Sequence, residues 1–359
     1  MKLICPTDEL SKALQTVLRS VGARAGIPAL SGVLLELDDT QLTLTTTDLE
    51  ITTRVTLPVT GEAGKLVVPA RYLAEIVRNL PSDEVELVTE DGTVRIAGGR
   101  ARYSLRSLPA EDFPRTEPGD GSTAFTVPGD VLSQALGQVA PAASRDETRP
   151  VLTGVLFEGD GSELRIVATD SYRLALRRLE LSGAEGVKVL VPVRAVTEVA
   201  RLASSGDVRV TVGPAQVGFE TGSVTVWSRL IEGEFPEYRK VIPESPPFHL
   251  QLDRVAFQDV LKRVSVLAHD ATPVFMELEP DRVRLQCQAQ GIGEFVEEAE
   301  ASYEGDQVRL ALNPTYLDVG VSAVPDERLM VDLTDPLKPI VVRGESDGFI
   351  YLLVPIRVG

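Results

Sequence analysis

Thr47-Asp48 and Thr169-Asp170 set a hydroxyl beside a carboxylate at two matching points of the chain. Such a pair could act as a nucleophile with its base, which would make the protein a hydrolase. It could equally close a turn, because aspartate readily accepts hydrogen bonds from the backbone just ahead of it. Recurrence at one structural position, between strand-like segments, favours the turn. The carboxylate pairs Asp38-Asp39 and Glu297-Glu298 fall in a turn and on an alternating strand, and read as solvated surface. His249 and His269, with only Cys5 and Cys287 and no Cys-x-x-Cys spacing, do not compose a zinc centre. Neither histidine has a companion nucleophile motif, and no G-x-S-x-G, P-loop or dinucleotide fingerprint stands between a strand and a helix. The expectation is a protein without catalysis, cofactor or metal.

Binding is the other chemistry available, and two features point to it. Apolar residues spaced at i, i+3, i+4 and i+7 pick out six helical windows, 7–24, 70–81, 129–145, 193–204, 253–269 and 314–328. They hold 12 bases (Lys12, Arg19, Arg24, Arg71, Arg78, Arg145, Arg194, Arg201, Arg254, Lys262, Arg263 and Arg328) against 10 acids. The windows therefore sum to +2 in a chain of net charge −17, and the remainder carries −19. Helical propensity alone favours Lys and Arg, but mildly basic helices on an acidic protein also suit a polyanion if they face one way. The second feature is the ending GFIYLLVPIRVG. Pro355 interrupts its strand pattern, so residues 354–359 are expected to leave the sheet and line a groove for a short peptide.

These residues must be positioned by 359 residues of ordinary globular composition, 43% hydrophobic and 25% charged, enough for two or three domains. SGVLLELDDTQLTLTTTDLEI (31–51) recurs as TGVLFEGDGSELRIVATDSYRL (153–174), and more faintly as PVFMELEPDRVRLQCQAQ from Pro273, where the Thr-Asp ending is lost. VVPARYLAEIVRNL (67–80) matches LVPVRAVTEVARLA (190–203) and ALNPTYLDVGVSAV (311–324), and LPAEDFPR (108–115) matches IEGEFPEYR (231–239). Each unit opens on an amphipathic helix, with Thr7 or an acid expected at the cap, and Asp91-Gly92 reads as a hairpin turn. The fold expected is α+β: three tandem duplicated domains, 1–119, 120–246 and 247–359, each with two helices against antiparallel sheet. The N-terminus MKLICPTDEL meets Pro6 and two acids before a signal-peptide core could form, long apolar runs are absent and cysteines are few. A cytoplasmic location follows as an expectation.

The threefold repeat, VATDSYRL (167–174), the Phe-Pro motifs and the VPIR ending together resemble the bacterial sliding clamps, the beta subunits of DNA polymerase III, over the whole chain. The resemblance implies a ring-shaped head-to-tail homodimer, with helices inside around double-stranded DNA and sheet outside. It implies a processivity factor that tethers the replicative polymerase, and that meets the clamp loader and repair polymerases or ligase through short peptide motifs rich in Gln and Leu or Phe. Arg24 in GARAG and Arg71 in VPAR match DNA-contacting positions; Arg145, Arg149, Arg194 and Arg201 extend that set. In SRDETRPVL, Asp146, Pro150 and Val151 stand where other members often carry Gln and aromatics. The implied peptide pocket takes Arg149, Leu152, Thr169, Ser171, Tyr172, Arg173, Leu174, Pro243, Asn313, Tyr316, Leu337, Pro339, Leu352, Leu353, Val354, Pro355, Ile356, Arg357 and Val358. Tyr172 and Val354 replace the His and Met common elsewhere. The implied dimer contact joins Tyr103 and Leu105 to Val266 and Leu267, with Glu297, Glu298 and Glu300 as ion partners for Arg100 and Arg102. Two rival readings are a protein-interaction scaffold with the same pocket but no DNA loading, and a hydrolase built on the Thr-Asp turns.

Overall fold

The computed structural model describes residues 1–22, 27–114, 123–268, 272–346 and 348–357. Arg24, Val358, His269 and the domain boundary expected at 119/120 lie outside the described residues. The six windows become α1 (Thr7–Val17), α2 (Ala70–Arg78), α3 (Gly129–Val139), α4 (Val193–Leu202), α5 (Arg254–Val264) and α6 (Pro314–Ala323). Helices α1 and α2 each bury one stripe, Leu10, Ala13, Leu14 and Val17 on the first, Ala70, Leu73, Ala74 and Val77 on the second. That stripe is the physical content of the helical spacing.

Every helix ends before its window does. Short 3-10 turns, Leu18–Ser20 and Ala140–Ala142, take over from α1 and α3, and Pro325 follows soon after α6. Three described bases assigned to helices therefore lie outside them: Arg19 is in the 3-10 turn Leu18–Ser20, Arg145 is in a loop, and Arg328 opens the strand Arg328–Leu333. Thr7 is not a cap either. Pro6 holds the cap position of α1, and the Thr7 hydroxyl is buried without a hydrogen-bond partner. Side-chain caps occur at Asp253, which accepts from Ala256 N, and at Asn313, which accepts from Tyr316 N.

The chain forms two compact units, Met1–Ser133 with Glu198–Leu230, and Gln134–Thr197 with Ile231–Gly359. The first contains a five-stranded and an eight-stranded sheet, the second a twelve-stranded sheet, and all the strand pairings are antiparallel. The expected hairpin joins Glu84–Glu90 to Thr93–Gly98 through Asp91 and Gly92, both with positive φ (40° and 77°), as its twist requires. Two pairings join strands from different repeats. Val224–Arg229 adds to Ile51–Pro58 with Val226 opposite Thr53, and Phe349–Leu353 adds to Arg173–Glu180 with Tyr351 opposite Ala175.

Both Thr-Asp pairs are turns. Asp48 Oδ1 accepts from the amides of Glu50 (3.0 Å) and Ile51 (2.8 Å), and Asp170 Oδ1 from those of Tyr172 (2.9 Å) and Arg173 (3.0 Å). The threonine hydroxyls donate to Ile51 O and Arg173 O. These bonds hold Leu49 at φ 77° and Ser171 at φ 81°, a left-handed backbone that side-chain-bearing residues adopt only under such constraint. Hydroxyl and carboxylate are thus committed to the backbone in both copies.

Candidate functional site

The second turn stands over an apolar groove of about 260 Å³ lined by Thr169, Ser171, Arg173, Leu174, Pro236, Glu237, Tyr238, Val241, Pro339, Leu352 and Val354. Strand Arg173–Glu180 supplies one wall and Phe349–Leu353 the next, paired Leu174 to Leu352. The 3-10 turn Tyr238–Val241 closes the third side. Leu156, Val167, Leu176, Leu190, Phe235 and Val341 pack with Leu174, Tyr238 and Leu352 in one core cluster, so the groove rests on a packed base.

Hydrogen bonds fix its polar edges. The Tyr238 hydroxyl donates to Glu158 Oε2 at 2.7 Å, and Arg239 reaches the same oxygen at 2.5 Å. Burial, then the Glu158 carboxylate, push the Tyr238 phenol up to about 12, so it remains a neutral donor. Arg173 lies 4.1 Å over the Tyr316 ring and donates to Asp170 Oδ2 at 2.9 Å. Burial opposes the Arg173 charge, but Tyr351 and Asp170 more than offset it and raise its pKa. The tail is tied down by Val354 N to Tyr172 O (2.9 Å) and Ile356 N to Ala311 O (2.7 Å).

Seven of the expected pocket residues therefore converge: Thr169, Ser171, Arg173, Leu174, Pro339, Leu352 and Val354. Arg149 touches the rim through Ser171 Oγ at 3.2 Å. Asn313 caps α6, and Tyr316 lies beneath Arg173. Leu152, Leu353 and Pro355 are buried outside the lining, while Tyr172, Leu337, Ile356 and Arg357 are exposed outside it. Pro243 lies beside the lining rather than in it. The turn at 238–241 carries Val241 into the groove, and Pro243 falls in a neighbouring hollow with Lys240 and Glu244. Pro236, Glu237, Tyr238 and Val241 line the groove but were not among the expected pocket residues, although the repeated Phe-Pro motif already marked the segment.

The six α-helices carry eight bases (Lys12, Arg71, Arg78, Arg194, Arg201, Arg254, Lys262 and Arg263) against seven acids, so the acidity of the chain lies in strands and connections. Arg71 and Arg194 are exposed and each is the second residue of its helix. A cation there opposes the helix dipole, which makes the position more useful for meeting an anion than for stabilising the helix. Arg201 is exposed and bonded to Glu198 at 3.0 Å, and Arg145 is exposed in its loop.

Tyr103 is 42% exposed on Ala101–Arg106, the last strand of its sheet, and Leu105 is half-buried there. Just beyond α5, Val266 is 73% exposed and Leu267 half-buried. Glu297 is bonded within its own chain to Arg263 by two contacts of 2.9 and 2.5 Å, which hold its carboxyl below the usual range. Glu298 lies 3.7 Å from Arg282. Arg102 donates to Gly99 O and Ala101 O. Within one copy, Glu297 and Glu298 are thus paired with Arg263 of α5 and with Arg282 of the neighbouring strand.

Three family models match in succession: the DNA polymerase III beta subunit N-terminal domain at residues 1–117, its central domain at 126–237 and its C-terminal domain at 239–357. The chain belongs to this beta sliding clamp family. It is 32% identical to the beta sliding clamp of Streptomyces coelicolor and 30% identical to that of Escherichia coli K12, with all of both chains covered in each case. The solved sliding clamp of Bacillus subtilis superposes with a TM-score of 0.95 at 28% identity, all of both chains covered. A Pseudomonas aeruginosa sliding clamp solved bound to griselimycin gives 0.95 at 30% identity, again over both whole chains. The three tandem clamp domains read from the repeat are those of this family. Among the described residues no group of three or more His, Cys, Asp and Glu could hold a metal ion, and no helix is long and apolar enough to cross a membrane.

Proposed function

We infer that this chain acts as a processivity factor of DNA polymerase: two copies close head to tail around duplex DNA, whatever its sequence. Each copy then offers its groove to a short peptide of a replicative polymerase, a clamp loader, or a repair polymerase or ligase. The observation that carries this reading is a strand junction used twice and left open once. Following the ladders, the positions held by Val226 and Tyr351 in two junctions correspond to Tyr103 in the remaining hairpin, opposite Ile96. The positions of Thr53 and Ala175 correspond to Phe295, opposite Cys287. Among the described residues, Ala101–Arg106 ends its sheet, and residues 293–300 are paired on one side. Thr53, Val226, Ala175 and Tyr351 are at most 2% exposed, whereas Tyr103 is 42% exposed. A second copy supplies what each open edge lacks, with Val266, Leu267, Glu297 and Glu298 at its margin, and the heterologous contact made twice closes on itself.

Topology rather than tight ion pairing then retains the DNA. Each neutralised phosphate adds about 0.9 to the salt slope of binding, so a sliding protein is served by few cations such as Arg71, Arg194 and Arg201, and by no contact to base edges. That the Pseudomonas relative was solved bound to griselimycin supports a ligand site on this fold, and the groove is the candidate for it here. The test loads the protein onto circular duplex with a clamp loader and ATP, then linearises the DNA. Loss of the protein on linearisation is expected. Equal retention on both forms, or no retention on either, overturns encirclement, the second outcome leaving a scaffold.

A further inference from the structure

We propose that Asp146 is a positioning residue that holds Arg149 against the peptide groove and away from DNA. The proposal rests on the reading just given. Arg149 is claimed twice, as a cation of a DNA-facing loop and as a rim residue of the groove, and one guanidinium cannot serve both at once. The geometry favours the groove. Arg149 Nε donates to Asp146 Oδ2 at 2.9 Å, and Arg149 Nη1 donates to Ser171 Oγ at 3.2 Å. The other oxygen of Asp146 accepts from Thr148 N (3.0 Å) and Thr148 Oγ1 (2.6 Å), and Arg149 N donates to Asp146 O at 3.1 Å. The carboxylate is therefore anchored by its own loop before it engages Arg149. Hydrogen bonds from Thr148, then from Arg149, hold its carboxyl below the usual range, so it is ionised at neutral pH.

At the far end of this chain of bonds, Ser171 lines the groove with its backbone at φ 81°. A phosphate could recruit Arg149 only by displacing the Asp146 carboxylate and giving up the Ser171 hydroxyl. Contact with DNA at this loop and a fully braced groove are thus alternative uses of one side chain. By linkage, each partner that needs Arg149 weakens the other by the same factor.

The experiment measures the purified dimer twice, binding a fluorescent linear duplex across a salt titration and binding griselimycin or a fluorescent peptide containing Gln, Leu and Phe. Asp146→Asn should steepen the salt slope by about 0.9 for each Arg149 released onto a phosphate. It should also weaken peptide binding about two- to tenfold, the loss of one braced hydrogen bond. Arg149→Ala alone should weaken the peptide similarly and leave the salt slope as it is. The double variant should return the slope to its starting value, and Asp146→Glu should restore the peptide affinity. An unchanged slope in Asp146→Asn, or a flatter slope in Arg149→Ala, overturns the proposal. Arg71→Ala in the same titration reports separately on the DNA reading: if it too leaves the slope unmoved, that reading fails with it.

Discussion

Replacing Tyr238 by Phe isolates one hydrogen bond in the groove wall. The ring remains packed against Phe235, 6.4 Å between centroids, and against the apolar base, while Glu158 loses its 2.7 Å donor. Arg239 stays on the same carboxylate, so no buried charge is stranded, and a bond to a charged acceptor is worth about 1.5 kcal/mol. Tyr238→Phe should lower the free energy of urea unfolding by about that much and leave peptide affinity within about twofold, because the apolar contact survives. Unchanged stability would mean that water replaces the phenol at no cost. This residue also shows what a sequence can disclose at its own scale. The Thr-Asp turns were legible because their chemistry is local: the aspartate bonds amides two and three residues ahead. Tyr238 acts through Glu158, 80 residues away in the chain, and no spacing rule reaches that far.

Helix starts were readable and helix ends were not, for reasons that differ. Four of the six helices directly follow a proline (Pro6, Pro69, Pro128 and Pro192), and the other two follow Asp253 and Asn313, which cap with their side chains. Ends carry no such mark, because the 3-10 turns that replace the last helical turn keep residues such as Ser20 and Ala142 buried and so prolong the apolar pattern. Helix α6 holds a further element-scale feature, Gly320, at which an added Cβ would lie 2.4 Å from Tyr351 Cδ1 and 2.6 Å from Cε1. Tyr351 is fully buried and donates its hydroxyl to Tyr316 O at 2.8 Å, so the ring has no room to withdraw. Alanine improves helix propensity by about 1 kcal/mol over glycine, whereas overpacking costs about 1–3 kcal/mol. Gly320→Ala should therefore destabilise the protein and, by moving the neighbour of Leu352, weaken peptide binding. A rise in melting temperature would show that α6 shifts freely on its sheet.

At the scale of the whole molecule the charge and the repeat carry different kinds of information. A net charge of −17 argues against nucleic acid until it is divided by element, and the helices then prove close to neutral with Arg71 and Arg194 exposed at their starts. The repeat, by contrast, predicts a register. Ser228 lies opposite Ile51 and Leu353 opposite Arg173, one at each existing junction. The same ladder positions at the open edges are Leu105 and Gly293, which places Tyr103 opposite Phe295 two residues along. Antiparallel partners have Cα atoms about 4.5–5.5 Å apart, inside the range a disulfide spans. A Cβ added at Gly293 meets nothing within 4 Å, and both native cysteines are buried. Leu105→Cys with Gly293→Cys should therefore form two intermolecular disulfides per dimer under mild oxidation and run as a covalent dimer on a denaturing gel. Leu105→Cys with Glu294→Cys should stay monomeric on the same gel, because a slip of one residue turns the side chain to the opposite face of the sheet. Equal crosslinking in both variants would indicate random collision. Crosslinking in the second alone would put the two copies in a different register from the junctions inside each chain.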